Sequence, residues 1–161
     1  MKWSWSIVAV IATGICVAGH QSAEAFTTAN ADPVRATFSI CGKDRHITCI
    51  VDGDTFWLRG ERFRIADIDA PEINPPRCEA ERIRGEAAKR RLGELLNAGP
   101  FPLVARFRGE DQYGRKLPTV MREGRSIGGI SVRPGLARWW DDPAQSWCGM
   151  THHGNESVAA V

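Results

Sequence analysis

Apolar and polar positions change rhythm several times along this chain. A largely apolar stretch follows Lys2, and its continuous part, Ile7 to Ala18, is 12 residues long. A membrane span needs roughly 20 such residues, so the stretch suits the centre of a secretory signal peptide better. Small-x-small sites follow at Ala23-Glu24-Ala25 and Ala29-Asn30-Ala31. The expectation is a signal peptide over residues 1–25, with cleavage as late as residue 31 as the alternative. An uncleaved membrane anchor is the rival reading. Cys16 is read as a small hydrophobe within the signal, because Ile15 stands where a lipoprotein site wants Gly or Ala.

Residues 26–40 read as an N-terminal linker, and short strand signals then begin. Arg45–Val51 is rich in β-branched residues, and Thr55–Leu58 and Arg62–Ile68 flank a turn at Arg59-Gly60-Glu61. Ala70-Pro71 ends that run, since proline cannot donate to a sheet ladder and restrains its predecessor. From Glu79 to Asn97 the period lengthens. Ala80, Ile83, Ala87, Leu92, Leu95 and Leu96 recur at helical spacing, with Arg82, Arg84, Glu86, Lys89, Arg90 and Glu94 on the expected solvated face. Ala98-Gly99-Pro100 stops this helix. Strands are expected at Pro102–Arg108 and Lys116–Arg122, joined by a polar loop, Gly109–Arg115. A second helix over Ser126–Val132 is weakened by Gly128-Gly129 and closed by Pro134. Strands, a central helix and more strands predict a small α+β domain, mainly β, with an antiparallel sheet or barrel. The pattern alone does not choose between these.

Composition adds little until the cysteines are counted. The chain has 161 residues with 43% hydrophobic and 25% charged, which suits one domain with a real core. Its net charge of +2 permits a nucleic-acid partner without pointing to one, since domains that bind by electrostatics are far more basic. Past the signal, four cysteines remain: Cys41, Cys49, Cys78 and Cys148. An even number in an exported chain suggests two disulfides, with three possible connectivities. Cys41 and Cys49 are close enough to bridge a hairpin, leaving Cys78 to tie the helix start to Cys148. Zinc is the rival reading, but the chain has no CxxC pair.

The densest chemical grouping is Val51-Asp52-Gly53-Asp54-Thr55 followed by Phe63-Arg64-Ile65-Ala66-Asp67-Ile68-Asp69-Ala70-Pro71-Glu72. If the hairpin pairing is centred on Gly60, Asp54 lies opposite Ala66 and Arg64 is its diagonal same-face neighbour. A carboxylate and a guanidinium would then share one space. Asp69 has the opposite strand parity, so it joins them only if the strand bends, and Ala70-Pro71 gives a reason to bend. Asp54, Asp67, Asp69 and Glu72 offer hard oxygen donors, which suit calcium or magnesium better than zinc. Asp-Gly-Asp by itself is also an ordinary turn sequence.

The runs CIVDGDTFWL, FRIADIDAPE, GEAAKRRLGELL, DQYGRKL and GLA together resemble the staphylococcal nuclease, or thermonuclease, family. The resemblance covers about Thr48 to Arg138. Asp-Gly-Asp-Thr, Arg-x4-Asp-x2-Glu and Asp-x-Tyr-Gly-Arg fall in order around one helix, a combination far more specific than any of its parts. It implies an OB-fold, a five-stranded Greek-key barrel with one face for oligonucleotides, over residues 41–148, with a flexible tail at 149–161. It also implies roles. Asp54 and Asp69 would bind Ca2+ with the backbone carbonyl of Ala70, where the family often has threonine, and Asp52 would be an outer acid. Glu72 would orient or deprotonate the attacking water. Arg64 and Arg115 would clamp the phosphate, with Tyr113 touching substrate beside Arg115.

The implied activity is calcium-dependent hydrolysis of DNA and RNA to 3′-phosphate products. The protein is expected to be a monomeric periplasmic or secreted endonuclease with no stable membrane insertion after signal cleavage. Two rival readings are a nucleic-acid-binding OB-fold module without turnover and a structural protein stapled by disulfides. The acidic and arginine residues are all present, which disfavours the first, and the second leaves them without a purpose. Ile127–Gly135 departs from the family pattern, and the long C-terminal helical tail of the family's founding member has no counterpart in these 161 residues. Trp139 and Trp140 could stack bases, though buried packing is the expectation, and His152-His153 reads as exposed tail.

Overall fold

The computed structural model describes residues 32–149. The expected signal segment, with either cleavage site, and residues 150–161 with His152 and His153 lie outside the described residues. Along the chain run β1 (Ser39–Ile40), β2 (Cys49–Ile50), β3 (Thr55–Leu58), β4 (Glu61–Arg64) and β5 (Ile68–Asp69). After them come α1 (Glu79–Asn97), β6 (Leu103–Glu110), β7 (Lys116–Arg122), β8 (Arg125–Ser126), α2 (Ile127–Val132) and β9 (Arg138–Trp139). The main sheet has the order β1-β2-β3-β4-β7-β6, while β5 and β9 form a second, two-stranded sheet. Val34 and Phe101, which precede β1 and β6, pair through backbone hydrogen bonds of 2.8 and 3.2 Å. The two outer strands of the order are thereby drawn together. A mainly strand domain around one central helix is the α+β class expected, and its topology is consistent with an OB-fold.

The supposed linker needs correcting over its described part. Phe38 is buried in the core, Ser39–Ile40 pair with β2, and the Asn97 side chain bonds both the N–H and the carbonyl of Phe38. The strand expected over Arg45–Val51 is only Cys49–Ile50, and that over Arg62–Ile68 is broken into β4 and β5.

The hairpin register also differs from expectation by one residue. The turn has two residues, Arg59 (φ 54°) and Gly60 (φ 86°), and both lie in the left-handed region that a tight primed turn demands. Thr55 therefore pairs with Arg64, Phe56 with Phe63, and Trp57 with Arg62. Phe56 and Phe63 stack at 5.3 Å inside the core, so Thr55, Trp57, Arg62 and Arg64 share the other face. Each fully buried Phe or Ile of this core stabilises the fold by about 1.5–3 kcal/mol.

Helix α1 has the predicted bounds but a different buried face. Glu81, Arg84, Gly85, Ala88, Leu92, Leu95 and Leu96 point inward, whereas Ile83 is 52% exposed and Ala80 also faces out. Small residues on this face set how closely the acidic loops approach. A Cβ on Gly53 would lie 2.6 Å from that of Ala88, and one on Gly85 would lie 2.8 Å from the Pro71 carbonyl. The Asp52–Asp54 and Ala70–Glu72 segments thus dock on one helix through glycine contacts. Helix α2 forms despite Gly128-Gly129 for a similar reason. Side chains there would collide with Ile65, Ile68 and Trp139, and the Ser126 hydroxyl caps the first turn at 3.0 Å. Both expected disulfides are present, Cys41–Cys49 and Cys78–Cys148.

Candidate active site

Asp54 leaves the turn just ahead of β3 and is 6% exposed. Its Oδ2 accepts hydrogen bonds from Arg64 Nη2 (3.0 Å) and from the Ala70 N–H (3.2 Å), and its Oδ1 accepts from the Thr55 hydroxyl (2.8 Å). Asp52 Oδ1 accepts from the Asp54 N–H at 3.1 Å, which fixes the turn. The same Arg64 Nη2 donates to Asp69 Oδ1 at 3.2 Å. Two carboxylates that are 15 residues apart in sequence therefore converge on one nitrogen. Asp69 gets there because the chain breaks between β4 and β5, as its parity required.

Asp69 has a second cation, which sequence reasoning missed. In the β5–β9 pair Asp69 lies directly opposite Arg138, and Arg138 Nη2 donates to Asp69 Oδ2 at 2.6 Å. Arg138 also donates to the Gln145 carbonyl and lies 4.7 Å from the Trp147 ring. The only sequence cue was the Gly-Leu-Ala-Arg run, whose arginine carried no assigned partner. Trp139 and Trp140 are 43% and 56% exposed, so the expectation of buried packing is corrected. Trp140 instead covers Arg64, with 4.6 Å between the guanidinium carbon and the ring centre.

Glu72 follows Pro71 and is exposed. Partial desolvation, then the like charges of Asp54 and Asp69, raise its carboxyl above the ordinary range, against the pull of Arg64. Arg115 and Tyr113 stand on the β6–β7 loop. Asp111 organises that loop, accepting from the Tyr113 and Arg115 N–H groups (2.9 Å each) and from Arg115 Nε at 2.6 Å. Burial pulls the Asp111 carboxyl up, but these bonds and the Arg115 charge outweigh it and hold the carboxyl low. Arg115 lies 5.6 Å from the ring of Tyr113, which is 71% exposed. Among the described residues, Arg115 is joined to Asp111 and Tyr113 and not to the Asp54–Asp69 pair.

Burial, then the like charge of Asp52, pushes the Asp54 carboxyl up to about 7 from an ordinary 3.8, with Arg64 pulling the other way. A carboxyl raised by folding binds its proton more tightly in the native state. Its contribution to stability is present below the unfolded value and is lost as pH rises toward the folded one. Metal-free protein is therefore expected to lose stability relative to Asp54→Asn as pH rises from about 4 to about 7. Urea denaturation of both proteins in chelator across that range measures the difference. A difference that stays constant, or that moves in favour of the wild type as pH rises, would contradict the argument.

The donor set fits a hard divalent cation. Asp54 and Asp69 supply two converging carboxylates, one of them buried beside the like charge of Asp52, and Ala70 is tied to Asp54 through its own backbone. Groups of three or more His, Cys, Asp or Glu suited to a metal are absent among the described residues. A cation here would take two side chains and complete its shell with a backbone carbonyl and water, as hard cations commonly do.

Fold and site together define a small OB-like α+β domain with a paired-carboxylate, arginine-bridged centre at the mouth of a hairpin. Residues 62–147, more than half of the chain, match the family described as Staphylococcal nuclease homologue, and the chain belongs to that family. It is 32% identical over 93 residues to Endonuclease YncB of Bacillus subtilis (strain 168), covering 55% of this chain and 44% of that protein. It is 34% identical over 93 residues to the SPbeta prophage-derived endonuclease YokF of the same organism, covering 55% and 31%. Succinoglycan biosynthesis protein ExoI of Rhizobium meliloti (strain 1021) is 30% identical over 92 residues, covering 55% and 48%. The chain thus matches less than half the length of each of these curated relatives.

Proposed function

We propose that this protein is an exported, Ca2+-dependent nuclease that hydrolyses phosphodiester bonds of DNA and RNA and leaves 3′-phosphates. The observation that carries this reading is the convergence of Asp54 Oδ2 and Asp69 Oδ1 on a single Arg64 nitrogen. Such a centre offers negative oxygens for a cation and a planar guanidinium for a phosphate, side by side. Family membership and two relatives named endonuclease add support. The two disulfides are compatible with an oxidising compartment outside the cytoplasm, and among the described residues no helix is long and apolar enough to cross a membrane.

A phosphodiester carries one negative charge and gains more as water adds to phosphorus. Asp54, Asp69 and the Ala70 carbonyl would hold Ca2+, which when bound supplies positive charge to a phosphoryl oxygen. Arg64 forks onto the phosphate, and Arg115 closes on it from the β6–β7 loop, both favouring the more highly charged transition state. Tyr113 contacts the substrate beside Arg115. Glu72, exposed and beside the two carboxylates, orients the attacking water or takes its proton. Its raised carboxyl lies closer to neutrality than an ordinary glutamate, which improves it as a base. Arg115 must exchange its part-buried Asp111 partner for phosphate, and the charge of the phosphate replaces that of the carboxylate.

Purified protein should degrade DNA and RNA with calcium and stop in chelator, with 3′-phosphate ends on mapping. Arg115→Ala and Glu72→Ala should be nearly inactive. Undiminished cutting by both variants would remove these residues from the site.

A further inference from the structure

The outer face of the β3–β4 hairpin carries more than the catalytic cluster uses. Arg62 and Arg64 alternate along β4 and so share a face, about 7 Å apart. Trp57 is the cross-strand partner of Arg62, as Thr55 is of Arg64. Moving along this face away from Asp54, the chain therefore replaces a carboxylate–arginine pair with an aromatic–arginine pair. Trp57 and Arg62 open into a cleft of about 340 Å³, lined also by Gly60, Glu61, Tyr113 and Lys116. His46 backs the Trp57 ring at 5.7 Å, and Arg62 Nε is buried without a hydrogen-bond partner.

We infer that this cleft is a subsite for one unpaired nucleobase flanking the bond that is cut. The inference rests on the nucleic-acid reading above and extends it to residues outside the acid–arginine centre. Tyr113 is common to both places: it stands beside Arg115 and lines the cleft. A strand whose phosphate lies at Arg64 can thus place a neighbouring base against Trp57. The charge balance favours a base over a second phosphate. Lys116 is already paired with Glu61 at 2.6 Å, so the cleft has two cations and an anion with an aromatic wall. A base stacked in a duplex cannot present its face to Trp57, whereas an unpaired base can. Stacking of this kind is worth about 1–3 kcal/mol per base, roughly fivefold to a hundredfold in affinity.

The test is binding without turnover, followed by cutting. Anisotropy of a fluorescent deoxythymidine ten-mer in chelator is compared with that of a duplex of equal length, for wild type, Trp57→Ala and Trp57→Phe. Circular dichroism establishes that each protein is folded. The wild type should bind the single strand more tightly than the duplex. Trp57→Ala should lose about tenfold or more on the single strand and little on the duplex, and Trp57→Phe should recover most of the loss. Equal binding by wild type and folded Trp57→Ala, or an equal loss on both probes, would overturn the subsite. Wild-type binding that depends on Trp57, with no cutting when calcium is added, would uphold the subsite and overturn the hydrolytic reading.

Discussion

An Arg64→Lys protein is expected to fold and yet to lose nuclease activity by about a hundredfold to a thousandfold, the scale on which one preorganised transition-state donor acts. The substitution keeps the positive charge between Asp54 and Asp69, so the fold should survive with a modest change in melting temperature. It loses the planar fork. One Arg64 nitrogen already serves both carboxylates, at 3.0 and 3.2 Å, and the plane is held against Trp140. In the proposed mechanism a second nitrogen serves a phosphate oxygen while the first keeps its bonds. An ammonium is a single point, and committing it to the carboxylates leaves nothing oriented toward the phosphate. The loss should fall on kcat more than on KM, because the missing contact is strongest in the transition state. Single-turnover cleavage of a labelled oligonucleotide, beside a thermal melt, separates the effects. Activity within tenfold of wild type would show that the guanidinium serves the carboxylates alone.

Where the sequence was legible, local rules coincided with tertiary needs. The bounds of α1 and β7 follow from periodicity and from the Gly99-Pro100 stop, whereas spacing made the Cys41–Cys49 pairing feasible and left three connectivities open. Two features were hidden for physical reasons. The hairpin register depended on whether the turn held two or three residues, and Arg59 in a left-handed conformation is not an expected turn residue. The buried face of α1 was misjudged because the helix packs through Gly85 and Ala88 and buries Glu81 and Arg84. Hydrophobicity alone would have turned Ile83 inward. The same blindness hid Arg138. Its meaning lies in a cross-strand contact with Asp69, 69 residues away, that no local pattern encodes. Asp54, Arg64 and Asp69 were legible because their motif is dense and the bend at Ala70-Pro71 is written in the chain.

The longer disulfide is where these hidden contacts acquire a consequence. Cys78 caps α1 at its first turn, and its bond to Cys148 closes a separation of 70 residues. Loop-closure entropy gives such a cross-link about 4 kcal/mol, against about 2.5 kcal/mol for Cys41–Cys49 with its separation of 8. The difference in function should be larger than this difference in stability. The segment that Cys148 anchors carries Arg138 onto Asp69 and Trp140 over Arg64, and it buries Trp147, whose carbonyl accepts from Arg84 at 2.8 Å. Cys78→Ser/Cys148→Ser should therefore lose about 4 kcal/mol in urea denaturation. At temperatures where it is still folded, it should also lose most of its activity, as Asp69 and Arg64 lose their outer partners. Cys41→Ser/Cys49→Ser, whose bond lies at β1 and β2 away from the acid–arginine centre, should lose less stability and keep its activity once folded. Equal residual activity in the two folded double variants would show that β9 holds its place on β5 without the covalent tie.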